Sequence, residues 1–353
     1  MLSGRVSSDP AMAQIILTLE STCDETACAI VRDDLKVLAS VVASQESLHR
    51  RYHGVVPEIA ARAHVERILP VIDEALQRAS LKIGDMDAIA VANTPGLSGS
   101  LVVGLTAAKS LCLATGIPLV AINHLHAHIY ACRMAAGEEV FPCVGMIVSG
   151  GHSHLYYCAS ALDFRFLGGT VDDAAGEAFD KVATMLGLDF PGGPAISRAA
   201  ETGNSRAFKF PRALVKDRTR LDFSFSGLKT AVRYAIAGQG KQDWSQLRLA
   251  PQTIADVAAS FQQAVVDCLV AKALLALNVT GLSTLCVGGG VAANRLLRKQ
   301  LGEELSTRSA RLLIAPPELC TDNAVMGAIA FERLWANDFD SLDIDIIPGL
   351  VRR

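Results

Sequence analysis

A chain of 353 residues is too long for one ordinary core and long enough for two domains. Half of it is hydrophobic and 20% is charged, which excludes a disordered chain. A net charge of −3 and a pI near 6.2 exclude a protein that is basic overall, so any polyanion would have to meet a local patch.

Residues 1–13 carry Arg5 but no apolar signal-peptide stretch, and read as a disordered lead with Met12 just ahead of the first strand. "QIILTL", Gln14 to Leu19, reads as a strand; the polar turn "ESTCDET" and a second strand, "ACAIVR", follow. Glu58 to Ala79 reads as a helix. Its apolar residues, including Val65, Ile68, Leu69, Val71 and Ile72, span about 160° of the wheel, wider than the ~100° a surface helix needs. A sheet could bury the whole arc, or one edge could face a partner helix. "NTPGLSGSLVVGLTAAKSL" predicts a helix from about Leu101.

"AINHLHAHIY" packs three of the eight histidines into five positions. The apolar "GIPLVAI" before it predicts a strand, Asn123 is a favoured N-cap, and no breaker follows until Gly137. A helix therefore starts at the histidines, and His124 and His128 share a face while His126 lies about 200° round from His124. Two imidazoles so spaced can bind one metal. A packed helix start shows the same pattern, so a third ligand is required.

"CVGMIVS", "GGHS" and "HLYYCA" repeat the opening strand–turn–strand plan from Cys143 onward, which predicts a duplicated fold. Each turn can offer N–H and hydroxyl groups to a phosphate. Asp172, Asp173, Glu177 and Asp180 crowd one segment, either as acids near a helix N-terminus or as ribose or metal contacts. Lys216, Arg218 and Arg220 form a basic run, the usual pattern of a solvated loop. In "TLCVGGGVAANRLLR" a strand runs into Gly288–Gly290 and then a helix with Asn294 one turn in; the spacing is not that of a dinucleotide fingerprint. "APPELCTDNAVMGAIAFERL" predicts a helix from about Asn323 to Leu334. Thr321 or Asp322 could cap it, and a carboxylate beside two histidines is also an established metal arrangement. The nine cysteines include no C-x-x-C pair, which predicts reduced, buried thiols in a cytoplasmic protein. No run of about 18 apolar residues is free of charges and glycine, so no membrane span is expected.

Nine blocks in order, among them "ESTCDETACAI", "GVVPEIAAR", "PGLSGSLVVG", "HLHAHI", "VSGGHSHL", "DDAAGEAFDKVATMLGLDFPGGP", "FSFSGLKT", "GGGVAANRLLR" and "CTDNAVM", resemble the tRNA adenosine-37 threonylcarbamoyltransferase family, formerly called O-sialoglycoproteases. The resemblance covers roughly Ile15 to Arg333 and points to the bacterial and organellar branch. It implies an α/β chain with a duplicated actin-like, Hsp70-like ATPase fold and a ligand cleft between two domains. We expect residues 14–132 with about 322–347 in the first domain and 133–321 in the second. It implies a divalent metal, iron(II) before zinc, on His124, His128 and Asp322, with His126 outside the ligand set. Ile147, Val148, Ser149, Gly150 and Gly151 match the family's substrate-contacting loop. Asp180, Gly193 and Asn294 match its nucleoside contacts, and Asp24 an acid important to function. This sequence departs from the family pattern where Ser21 and Thr22 are exchanged and where Thr94 replaces a common glycine.

The implied reaction moves a threonylcarbamoyl group from threonylcarbamoyl-AMP to N6 of adenosine 37, in tRNAs that read codons starting with A. The implied partners are tRNA, a paralogous actin-like subunit and a P-loop ATPase, with no membrane. Three other readings compete. A kinase of the same fold has no need of His124 and His128. A metallopeptidase would carry H-E-x-x-H, and here Leu125 stands where the glutamate base should be. A non-catalytic nucleotide-binding subunit predicts a broken metal trio, whereas all three residues are present.

Overall fold

The computed structural model describes residues 13–238 and 249–349. The lead expected over residues 1–13 lies outside them, save Ala13. Among the described residues ten strands make two sheets of five. The first holds β1 (Ile15–Glu20), β2 (Glu25–Arg32), β3 (Val37–Ser44), β4 (Ala88–Thr94) and β5 (Leu119–Asn123), in the order β3-β2-β1-β4-β5. The second holds β6 (Cys143–Val148), β7 (Ser153–Cys158), β8 (Phe164–Gly169), β9 (Thr284–Gly288) and β10 (Arg311–Ile314), in the order β10-β9-β6-β7-β8. Read from the opposite edge, the second order repeats the first. In each sheet a central strand pairs antiparallel on one side (β1 with β2, β6 with β7) and parallel on the other (β1 with β4, β6 with β9). This is the expected duplication, and the fold is actin-like. Continuous apolar runs such as "AIAVA" in β4 are buried throughout, as strands covered on both faces must be. Ile16, Leu17, Ile30 and Ile89 are wholly buried, each contributing about 1.5–3 kcal/mol.

The helices are α1 (Glu46–His49), α2 (Pro57–Ala79), α3 (Ser98–Thr115), α4 (His124–Ala136), α5 (Ala175–Met185), α6 (Gly192–Ala200), α7 (Ser226–Ala237), α8 (Pro251–Thr280), α9 (Arg295–Ser306), α10 (Pro317–Cys320) and α11 (Ala330–Trp335). Helix α3 starts at Ser98, ahead of the expected Leu101. The expected helix from Asn323 to Leu334 is two pieces, a 3-10 turn over Val325–Ile329 and then α11. The tighter turn lets Gly327 close on Thr18, where a Cβ would come within 2.8 Å, while Thr18 Oγ1 donates to Ala324 O. Helices α3 and α8 are long and apolar enough to cross a membrane by length and composition alone, although α3 carries Gly99, Gly104 and Lys109. Both pack against strands, α3 on β4 and α8 on β6 and β9, and α8 carries Asp256, Asp267 and Lys272.

The chain divides into two units. One takes in the described residues up to Ala43, Ala61–Asn123 and Asn323–Gly349; the other takes Ser44–Ala60 and His124–Asp322. We expected the first boundary after Cys132. It falls at Asn123 because α4 packs on β6, β9 and β10, the strands of the second sheet. Helix α2 buries Ile68, Val71, Ile72 and Ala75, while Val65 and Leu69 on one edge of the arc stay 63% and 64% exposed.

Candidate metal centre and nucleotide cradle

Strand β5 ends at Asn123 and α4 begins at His124, so the two histidines lie on its first two turns. The segment after α10 returns Asp322 to them. His124 Nε2 and His128 Nε2 lie 3.5 and 3.2 Å from Asp322 Oδ1. The three donor atoms lie within 4.8 Å of one another, and this is the one such group among the described residues. Bonds of ~2.1 Å at tetrahedral angles would separate donors by ~3.4 Å, so the spacing fits a divalent ion held by two imidazoles and a carboxylate. His124 and His128 are buried, and Asp322 keeps 22% of its side chain exposed, leaving one side open. Burial opposes ionisation of Asp322, but His124 and then His128 outweigh it and hold the carboxyl well below its usual range. His126 is excluded from the group. Its ring stacks on Phe164 at 4.0 Å and meets Tyr156 edge-on, and burial pushes it down to about 4.

Two glycines bring the centre and the second turn together. At Gly288 a Cβ would stand 2.6 Å from His128 O, so only glycine lets β9 lie against this turn of α4. Gly289 has φ +92° and would place a Cβ 2.5 Å from Val148 O. Ile147 and Val148 are the last residues of β6, with side chains wholly buried; they frame the loop and present no side chain to a ligand. Ser149 N donates to His152 O at 2.8 Å, so its N–H serves the turn and is not offered outward as expected. The carbonyls of Ser149 and Gly150 accept from Gly176 N and Glu177 N at the start of α5. Gly150 and Gly151 are exposed, and their N–H groups donate to nothing among the described residues.

Helix α5 carries Asp180, whose Oδ1 accepts from Gly192 N at 2.7 Å and so caps α6. Gly193 is the next residue, and a Cβ there would meet nothing within 4 Å, so packing does not require a glycine. Asn294 was expected one turn inside a helix. It is instead the N-cap of α9, because a 3-10 turn over Gly290–Ala293 follows the glycines. Its Oδ1 accepts from Leu297 N, and its Nδ2 donates to Ser197 Oγ on α6 and Gln262 Oε1 on α8. Asp180, Gly193 and Asn294 thus meet around α6.

Sequence reasoning stopped short of His152. This residue ends the glycine turn, and burial followed by the charges of His154 and His124 pushes it down to about 3. Its signal was the "GGHSH" string itself. Asp24 lies in the other unit, on the β1–β2 turn and partly exposed. That turn is held by His64 Nε2 and Ser100 Oγ on Cys23 O and by Leu97 N on Thr22 O. The last bond ties down the loop that follows Thr94.

Residues 36–329 match the family model for tRNA N6-adenosine threonylcarbamoyltransferase. The protein of that name from Rhodopirellula baltica is 54% identical over 97% of this chain and 98% of its own length. The one from Moorella thermoacetica is 48% identical over 95% of this chain and 96% of its own length. Among solved structures, full-length HypF in the phosphate- and nucleotide-bound form superposes with a TM-score of 0.60 at 15% identity, over 93% of this chain and 56% of that one, a likeness of fold alone. The chain belongs to the tRNA N6-adenosine threonylcarbamoyltransferase family, a family of acyltransferases.

Proposed function

We propose that this protein transfers the threonylcarbamoyl group of threonylcarbamoyl-AMP to N6 of adenosine 37 in tRNA, releasing AMP. Family membership together with the convergence of His124, His128 and Asp322 carries the reading. The amine is a poor nucleophile because its lone pair is delocalised into the purine, so the reaction needs an activated acyl donor held in place. His124, His128 and Asp322 would hold a divalent ion, iron(II) or zinc, which when bound supplies a Lewis acid for the donor's carbamoyl oxygen. Gly150 and Gly151 N–H groups donate to the adenylate phosphate and stabilise AMP as the leaving group. Asp180 and Asn294 bind the nucleoside beside Gly193, where the absence of a side chain leaves room for it. Asp24 orients or deprotonates the acceptor amine. An adenosine exposed in an anticodon loop is the form of base that protein sites can reach.

We assign the protein to the cytoplasm, where nine free thiols suit a reducing compartment. Its working form includes an actin-like paralogue and a P-loop ATPase. The exposed Val65 and Leu69 on α2 support a helical partner on that edge. The test is to combine the chain, its partners, threonylcarbamoyl-AMP and a tRNA transcript, then to analyse the nucleosides by mass spectrometry. Threonylcarbamoyladenosine at position 37 is expected; its absence refutes the reading.

A further inference from the structure

Residues 198–220 run counter to the rest of the chain in charge. They hold seven arginines and lysines and two acids, within a protein of net charge −3. After α6 ends at Ala200 the segment contains no further helix or strand up to α7, apart from a single bridge at Phe223. It is nevertheless fastened along its length to α8. Gln252, Asp256, Ser260, Gln263 and Asp267 fall within an arc of about 80° on that helix.

This polar stripe is used for the segment. Asn204 N donates to Asp256 Oδ1 at 2.7 Å, Phe208 N donates to Ser260 Oγ at 3.2 Å, and Ser260 Oγ donates back to Asn204 O at 3.1 Å. Arg212 Nε donates to Asp267 Oδ2 at 2.9 Å. From the buried side of α8, Lys272 Nζ donates to Asp217 O and Arg220 O at 2.9 and 2.5 Å. Lys272 is 1% exposed, so this ammonium serves the backbone of the segment and not solvent.

The cations therefore fall into three sets. Arg212 and Lys272 face inward and fix the backbone. Arg220 pairs with Asp222. Arg198, Arg206, Lys209, Lys216 and Arg218 are all exposed, and none has a salt-bridge partner among the described residues. Holding an irregular segment in place needs the inward set; it does not need five uncompensated charges fixed on the outer side. A run of unpaired cations on a fastened backbone, in a protein that is acidic overall, is the electrostatic footprint of a polyanion site.

We propose that residues 198–220 form a docking surface for the phosphate backbone of the tRNA, with Arg198, Arg206, Lys209, Lys216 and Arg218 as its phosphate contacts. The proposal rests on the tRNA reading above and adds where the tRNA is held. Such contacts position the nucleic acid and carry no sequence information. They also make affinity salt-dependent through counterion release.

The test is fluorescence anisotropy of a labelled tRNA transcript with the full chain, from 50 to 200 mM salt, for wild type and for Lys209→Ala/Lys216→Ala/Arg218→Ala. The triple variant should bind about tenfold or more weakly at the lowest salt. Its log–log salt slope should be shallower by about 2–3, close to one for each phosphate contact removed. The loss should be the same for a transcript with guanosine at position 37. Melting temperature and affinity for AMP should match wild type. A variant with the wild-type slope and affinity overturns the proposal, as does a variant that loses capture of an acidic protein partner while its tRNA binding is intact. Normal tRNA binding by wild type with no transfer from threonylcarbamoyl-AMP when the partner subunits are also supplied would sink the proposed reaction and leave the docking surface standing.

Discussion

Gly288→Ala should disturb the metal centre without touching a ligand. The new methyl would stand 2.6 Å from His128 O, 3.0 Å from its carbonyl carbon and 3.1 Å from its Cβ. The first two are backbone atoms inside α4, so no rotamer change relieves the clash. Either β9 or the second turn of α4 must shift by several tenths of an ångström. Overpacking of this kind costs about 1–3 kcal/mol. For a unit of some 200 residues each kcal/mol moves Tm by about 2–4 °C, so a fall of about 2–12 °C is expected. The shift also moves His128 relative to His124 and Asp322, so metal content should fall beyond what the loss of folded protein explains. Gly193→Ala is the control, because its Cβ meets nothing within 4 Å. Differential scanning calorimetry and elemental analysis of both variants give the answer. A Gly288→Ala protein with wild-type Tm and full metal would refute the claim that this glycine sets the position of α4.

His124→Ala, His128→Ala and Asp322→Ala should each lose metal while remaining folded, whereas His126→Ala should keep it and lose only ring packing worth about 0.5–1.5 kcal/mol; full metal in the Asp322 variant would remove that residue from the ligand set. Gly193→Ala should leave Tm unchanged and weaken AMP in calorimetry, while Asn294→Ala should weaken AMP and also lose about 1 kcal/mol of stability with its cap; unchanged affinity in both would move the nucleotide elsewhere. Asp173 is partly buried, which raises its carboxyl, but Lys181 and Lys229 prevail and lower it from 3.8. Its stabilising effect is therefore complete above 3.8 and lost as pH falls below that value, so the Tm gap between wild type and Asp173→Asn should close in acid; a gap independent of pH would contradict this. Charge reversal at Arg62 or Glu66, on the rim of α2, should reduce partner pull-down and tRNA modification together with Tm little changed; full multiple-turnover activity from the chain alone would argue against an obligate partner.

The repeated strand plan was readable because each strand is a short, almost wholly apolar run that ends in a polar turn, as in "CVGMIV" before "SGGH". The start of α4 was readable for a similar reason, since the strand "LVAIN" passes directly into histidines with no breaker behind them. The histidine pair could be placed on one face from spacing alone; Asp322, 194 positions beyond His128, came from family resemblance. Asn294 was misread because triple glycine hides a 3-10 turn, which moves the helix start by four residues. The fastening of residues 198–220 was invisible for a different reason. Asp256, Ser260 and Asp267 look like the solvent face of an ordinary helix, and only the fold shows that a loop covers them.

The long stretch of chain from His124 to Asp322 begins on one ligand and ends on another. An ion shared by those ends would turn the stretch into a closed ring, joined through His128 and Asp322 across 194 positions. In the chain-entropy treatment of a cross-link, a ring of that size takes about 5 kcal/mol of freedom from the unfolded chain. The ion would then act on folding as a clasp, independently of any chemistry at the carbamoyl oxygen. Chelation should lower the unfolding temperature of this stretch even in a protein that has never met its donor or its tRNA. The same geometry brings the two ends of the stretch side by side, so a short peptide joining Asp322 to His124 could replace the clasp in a circularly permuted chain.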